Sequence, residues 1–84
     1  MTATREGIQR WLKEGEAKGA THLIVACDTF DYENYPVFVM PGGSCRKKIE
    51  EVKGSSMQSV DEVYDFAMSV TRQLSEPRAM HVTS

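Results

Sequence analysis

The spacing of apolar residues predicts a helix at the start of the chain. Over residues 4–18, Ile8, Trp11 and Leu12 recur at i, i+3 and i+4, which places them on one face of a helix. The residues suited to cap this helix are Thr4 at its start and Gly19 at its end.

Two strands are predicted next. The stretch "THLIVACDT" is apolar on both alternating faces, which is typical of a strand covered on both sides. The stretch "YPVFVM" follows as a second strand, and the intervening "FDYEN" has the length and Asp/Asn content of a hairpin connection. Pro36 lacks an N–H group, so we expect it at a strand start or on an unpaired edge.

Helices are predicted for the second half of the chain. After the break at "PGGS", Ser44 is suited to cap a short helix over "CRKKIEEVKG". The stretch "SSMQSVDEVYDFAMSVTRQL" predicts one long helix ending before Pro77, because a set of its residues recurs at helical spacing. That set is Val60, Val63, Tyr64, Ala67, Val70, Thr71 and Leu74. The remaining "RAMHVTS" is expected to be a short, mobile tail.

The predicted order is α-β-β-α-α, a single α+β domain over residues 1–84 with an antiparallel hairpin packed on helices. A two-stranded hairpin is only marginally stable, and its free edges can pair with another chain. Phe66 and Met68 also lie outside the apolar face of the predicted long helix. We therefore expect a homo-oligomer that completes the fold.

Composition narrows the class of protein. Ten Lys and Arg against twelve Asp and Glu give a formal charge of −2, which argues against a protein that coats DNA or RNA. No apolar run approaches the roughly 18 residues of a membrane span, so we expect no membrane partner. Two cysteines without the density of a disulfide scaffold fit a reducing cytoplasm.

Three segments resemble a known family. "GATHLIVACDTFDYENYPVFV", "MQSVDEVYD" and "QLSEPRA" are similar to small, functionally uncharacterised proteins of tailed phages and prophages. The resemblance covers about Ile8 to His81 and is most specific in "CDTFDYE" and "YPV", whereas "PGGSCRKK" and Pro77 depart from the family pattern. It implies a phage or prophage protein in the host cytoplasm and no established activity. By analogy with other small phage proteins, it suggests a counter-defence factor.

The hairpin connection is the first candidate site. Asp28 and Asp31 are hydrogen-bond acceptors when ionised, and Tyr32 and Tyr35 offer flat faces on which a nucleobase can stack. The alternative is turn chemistry, in which the two carboxylates accept from backbone N–H groups. The Asp-x-Asp-x-Asp-Gly series of a calcium loop is absent, so we expect no metal.

The stretch "PGGSCRKK" is the second candidate site. Gly43 lets a ligand approach the backbone, Ser44 carries a hydroxyl group, and Arg46 and Lys47 add positive charge at a helix start. The spacing is not that of a Walker A loop, and the alternative is a Gly-Gly turn into a capped helix. Arg78, in the tail, is a candidate to close over a neighbouring subunit's site.

Catalysis has little support in the sequence. Cys45 falls in the first turn of a predicted helix beside Arg46, where a thiol pKa can be lowered. No Cys/His/Asp spacing suited to nucleophilic catalysis is evident, so we expect neither an enzyme nor a cofactor. Two hypotheses remain: a protein that binds and sequesters a nucleotide-type small molecule, or an interaction module that inhibits or retargets a host protein.

Overall fold

The computed structural model describes residues 4–82. Its elements are α1 (Arg5–Lys18), β1 (His22–Asp28), β2 (Glu33–Val39), α2 (Cys45–Gly54), β3 (Gln58–Asp65) and α3 (Val70–Leu74). The predicted α+β class is confirmed. The first four elements also match the predicted ones in type and order, including the Thr4 and Ser44 N-caps and the left-handed Gly19 that ends α1. Strand β2, however, begins at Glu33, within the stretch "FDYEN" predicted as the hairpin connection.

The three strands form one antiparallel sheet in the order β2-β1-β3. The central position of β1 explains its two apolar faces, because a helix layer covers each side of it. The edge strand β2 carries Pro36 opposite Val25 of β1, in agreement with the edge position predicted for this proline.

Two apolar layers cover the sheet. On the α1 side, the buried residues are Ile8, Leu12, Leu23, Val25, Tyr64 and Ala79, with Trp11 and Leu74 packed at the margin. On the α2 side, they are Ile24, Val39, Cys45, Ile49, Val60 and Val63. The alternating residues of β1 therefore contribute to both layers, and Leu23 and Ile24 are fully buried.

The predicted long helix over residues 55–74 is wrong. Its first half is strand β3, its second half is the short helix α3, and the observed order is α-β-β-α-β-α. The register between β1 and β3 shifts at a β-bulge: Val25 pairs with Glu62, but Ala26 pairs with Val60. The extra residue places Val60 and Val63, three positions apart, in the same layer, and this spacing imitates a helix.

The segment after α3 packs on the outer edge of β3. Ala79 is fully buried, and Met80 forms a parallel bridge with Val63. The Val63 N–H donates to the Ala79 carbonyl, and the His81 N–H donates to the Val63 carbonyl, both at 3.0 Å. The expected mobile tail is therefore, through residue 82, a packed segment, while Thr83 and Ser84 lie outside the described residues.

Phe66 does not have the exposed position expected of it. It is half-buried in the α1 layer, and its ring lies with that of Phe38 over Gly15. Met68 is 44% exposed. Self-association stays a prediction, and its basis is now the outer edge of β2, which no other strand within residues 4–82 pairs with.

Candidate ligand-binding cleft

An open cleft of about 420 Å³ lies on the α1 side of the sheet, where the first turn of α1 meets β3 and the segment after α3. Its lining residues are Arg5, Ile8, Val25, Asn34, Asp61, Glu62, Pro77 and Arg78. The volume falls within the range of small-molecule sites. Charged and amide groups from four separate parts of the chain thus meet in one cavity.

The β-bulge in β3 brings two carboxylates into this cleft. In a regular strand, consecutive residues point to opposite faces of the sheet. Because the bulge inserts an extra residue, Asp61 and Glu62 both line the same cavity. Bulges frequently redirect a side chain in this way beside functional sites.

Glu62 is buried and held on three sides. Its Oε1 accepts a hydrogen bond from the Tyr64 hydroxyl at 2.8 Å, and its Oε2 accepts one from the Ala79 N–H at 3.1 Å. The Arg5 guanidinium lies 3.9 Å from Oε2. Burial and the neighbouring Glu62 raise the pKa of Tyr64 above its ordinary value, so this hydroxyl stays a donor to the carboxylate.

Two guanidinium groups frame the cleft. Arg5 donates to the Glu76 carbonyl at 2.6 Å, and its side chain is 48% exposed. Arg78 donates from Nε to the Asp61 carbonyl at 2.8 Å and from Nη2 to the Val60 carbonyl at 3.3 Å. A guanidinium carries five N–H groups, so both side chains keep donors for an anion beyond these contacts among the described residues.

Asn34 of β2 lines the cleft and holds the Asp61 side chain in place. Its amide nitrogen donates to the Ala26 carbonyl at 3.1 Å and to Asp61 Oδ2 at 2.8 Å, which joins β2 to β3 across the central strand. The Asp61 carboxylate is thereby oriented, and its other oxygen remains available as an acceptor. The cleft therefore offers guanidinium donors and carboxylate acceptors side by side.

The hairpin candidates have local hydrogen-bond partners. Asp28 accepts from the Phe30 N–H at 2.9 Å, and Asp31 accepts from the Glu33 N–H at 3.1 Å, as the turn-chemistry alternative proposed. Tyr32 is 65% exposed, whereas the hydroxyl of half-buried Tyr35 donates to Gln58. Neither tyrosine lines the cleft.

The candidates at the start of α2 form a capped turn. Gly43 donates from its N–H to the Met40 carbonyl at 2.9 Å, and the Ser44 hydroxyl accepts from the Lys47 N–H at 3.3 Å. The Arg46 and Lys47 residues are exposed on the helix. This is the geometry of the capped-helix alternative.

The structure does not bring these two groups together. The hairpin connection precedes β2 and the "PGGS" turn follows it, so roughly 20 Å of extended strand separates them. Among all nine of the sequence-predicted site residues, only Arg78 lines the cleft. Within one chain, the two predicted sites therefore do not form a single pocket.

Neither cysteine has the environment of a reactive thiol. Cys45 is 1% exposed, and burial together with nearby Asp65 raises its pKa, contrary to the lowering considered from the sequence. Burial and nearby Asp61 also raise the pKa of Cys27. Since the thiolate is the reactive form, both are protected at neutral pH.

We expect an aromatic disulfide reagent at pH 7.5 to label Cys27 and Cys45 at least about tenfold more slowly in the native protein than in denaturant. The measurement is the absorbance of the released thiolate, with glutathione as a reference for an unprotected thiol. Labelling of native Cys45 as fast as glutathione would contradict this assignment.

The sequence pattern does not point to four of the polar residues that line the cleft: Arg5, Asn34, Asp61 and Glu62. The only local signal was "VDEV", in which two adjacent acidic residues interrupt an apolar pattern. In a helix over residues 55–74, this dipeptide would be part of the solvent-exposed face. Its position in the cleft depends on the β-bulge, which the sequence pattern does not predict.

Two further properties concern the described residues as a whole. Within residues 4–82, no His, Cys, Asp and Glu side chains cluster in a way that could hold a metal ion, and no helix is both long and apolar enough to span a membrane.

Comparison of the chain with family models, curated proteins and solved structures found no significant match to any of them.

Proposed function

We propose that this protein is a non-enzymatic phage or prophage accessory factor that binds a nucleotide-type small molecule in the cleft and sequesters it in the host cytoplasm. The observation that carries the proposal is the convergence of two guanidinium groups and two carboxylates on one cavity. The phage setting and the counter-defence role rest on the sequence resemblance and on analogy.

The anionic part of the ligand is assigned to Arg5 and Arg78. Both side chains keep exposed N–H donors, and guanidinium groups bind phosphate through paired, charge-assisted hydrogen bonds. Backbone carbonyls orient both groups before any ligand arrives, which lowers the entropy lost on binding.

The polar, uncharged part of the ligand is assigned chiefly to Asp61, one of whose oxygens accepts from Asn34, because both oxygens of the neighbouring Glu62 already accept hydrogen bonds within the protein. Carboxylates accept hydrogen bonds from sugar hydroxyl groups or from the amino groups of a base. The two carboxylates also repel an anion that has no hydrogen-bond donors, because the cleft holds negative as well as positive charge. A nucleoside phosphate has partners for the guanidinium groups and for the carboxylates, whereas inorganic phosphate has partners only for the guanidinium groups.

The test is calorimetric titration of the protein with cyclic and linear nucleotides and with inorganic phosphate. We expect a nucleotide to bind more tightly than phosphate, and Arg78→Ala to weaken its binding by about ten- to a hundredfold. This range corresponds to the loss of a charge-assisted hydrogen bond worth about 1.5–3 kcal/mol. Arg5→Ala should have an effect of the same order.

Arg46→Ala is the matched control, since it removes the same charge from an exposed position on α2. It should leave the affinity unchanged, and the thermal midpoints of all variants report whether each still folds. If wild-type protein binds no nucleotide at high micromolar concentration, the cleft is not a nucleotide site. If Arg46→Ala alone loses binding, the site lies at the start of α2.

Assembly and the alternative function belong to the same proposal. A homo-oligomer paired through the edge of β2 would add a second copy of the cleft to each particle, which increases the capacity for sequestration. An interaction module that inhibits or retargets a host protein remains the alternative, and it takes precedence if the cleft binds no small molecule.

A further inference from the structure

Three exposed apolar side chains lie on the two neighbouring turns at the end of the sheet where β1 ends and β3 begins. They are Phe30 and Tyr32 from the β1–β2 turn and Met57 from the α2–β3 turn, and we refer to them as the hairpin-tip surface. The three residues are 75%, 65% and 52% exposed. The Thr29 N–H donates to the Met57 carbonyl at 2.7 Å, so one hydrogen bond joins the two turns.

The backbone holds two of these side chains in an uncommon conformation. Tyr32 and Met57 have φ values of 59° and 62°, and they are the non-glycine residues with positive φ within residues 4–82. Glycine, asparagine and aspartate adopt this left-handed region at lower cost. Both turns thus present a large apolar side chain to solvent where a small or polar residue would suit the fold better.

The charged residues of the hairpin beside this surface are all acidic. Asp28, Asp31 and Glu33 flank the two aromatic residues, and the chain carries neither lysine nor arginine between Lys18 and Arg46. Asp28 and Asp31 each accept a hydrogen bond from a backbone N–H of the turn through one carboxylate oxygen. This bond orients the second oxygen of each carboxylate. Lys53, in the last turn of α2, is the cation closest in sequence to Met57.

We propose that the hairpin-tip surface docks a partner protein through a segment that carries arginine or lysine next to apolar side chains. Aromatic residues and methionine are common anchors at protein interfaces, and cations bind over aromatic faces as well as beside carboxylates. The surface shares no residue with the ligand-binding cleft, so this interaction is a second function, independent of the proposed one.

The test selects a display library of random peptides on the immobilised wild-type protein. Bound peptides are then compared with the variant Tyr32→Asn/Met57→Asn, which removes both apolar side chains and supplies a residue that tolerates positive φ. This variant should fold at least as well as wild type, so lost binding reports lost contacts. Met40→Asn is the control, because Met40 is 42% exposed and lies beyond the opposite end of β2.

We expect enriched peptides that combine arginine or lysine with aromatic or aliphatic residues. Their affinity should fall at least about tenfold in the Asn double variant, fall with added salt, and stay unchanged in Met40→Asn. Three results of the peptide selection would overturn the proposal: no enriched peptide, enriched peptides without cationic residues, or equal binding to the double variant. Concentration-dependent NMR shifts confined to the tip would also overturn it, in favour of a second copy of this chain as the occupant.

Discussion

Truncation of Tyr64 to alanine is expected to cost about 3–5 kcal/mol of unfolding free energy, the range for removing a large aromatic side chain from a core. Tyr64 is fully buried in the α1 layer, in the same apolar cluster as Leu23 and Val25. Its hydroxyl also donates to Glu62, so truncation leaves a buried carboxylate oxygen without that donor. The measurement is urea unfolding followed by the fluorescence of Trp11.

Tyr64→Phe separates the two contributions. It keeps the ring but removes the donor to Glu62, so we expect a loss of about 1–3 kcal/mol. Tyr32→Ala is the matched control, because Tyr32 is 65% exposed and should change stability by no more than about 0.5 kcal/mol. If Tyr64→Ala were no more destabilising than Tyr32→Ala, the assignment of β3 to the core would be wrong.

Gly15→Val is expected to destabilise the protein by about 3 kcal/mol, at the upper end of the cost of overpacking. A Cβ atom at this position would lie 2.6 Å from the Phe66 ring and 2.9 Å from the Phe38 ring, closer than real contacts allow. Valine has a slightly better helix propensity than glycine, but that gain of a few tenths of a kcal/mol is too small to offset two clashes.

Gly7→Val is the control for this substitution, since the nearest atom to its Cβ is the Thr4 hydroxyl oxygen at 3.5 Å. Combining Gly15→Val with Phe66→Ala should restore part of the lost stability, because the second change removes one of the clashing rings. A coupling energy of about 0.5–3 kcal/mol in this double-mutant cycle would locate the effect at the contact. Additive losses would show that the ring of Phe66 does not lie over Gly15.

Local sequence signals were sufficient for α1, β1, β2 and α2. Each has apolar residues at the spacing of one regular structure, and each helix is bounded by residues whose side chains or φ values suit a cap, such as Ser44 and Gly19. The apolar runs of β1 also implied cover on both faces, which the two helix layers provide. These features depend on neighbours within a few positions along the chain, so the sequence displays them directly.

The remaining elements depended on contacts between distant residues. A bulge in β3 breaks the alternation of its side chains, and it exists because the strand pairs with β1. In isolation, the spacing of Val60 and Val63 fits a helix equally well. The same helical pattern places Phe66 outside the apolar face, whereas in the folded protein its ring covers Gly15 of α1.

The sequence by itself thus determined the α+β class, the hairpin and the N-cap role of Ser44, because these follow from local spacing and backbone geometry. It left ligand binding and turn chemistry both open for Asp28 and Asp31, and the structure shows their hydrogen bonds to backbone N–H groups of the turn. Only the tertiary structure decided which residues meet in the cleft. Arg5 and Glu62 are 57 positions apart and meet because α1 packs on the face to which the bulge turns both carboxylates. No local pattern encodes such a meeting, since it arises from strand pairing and layer packing across the whole chain.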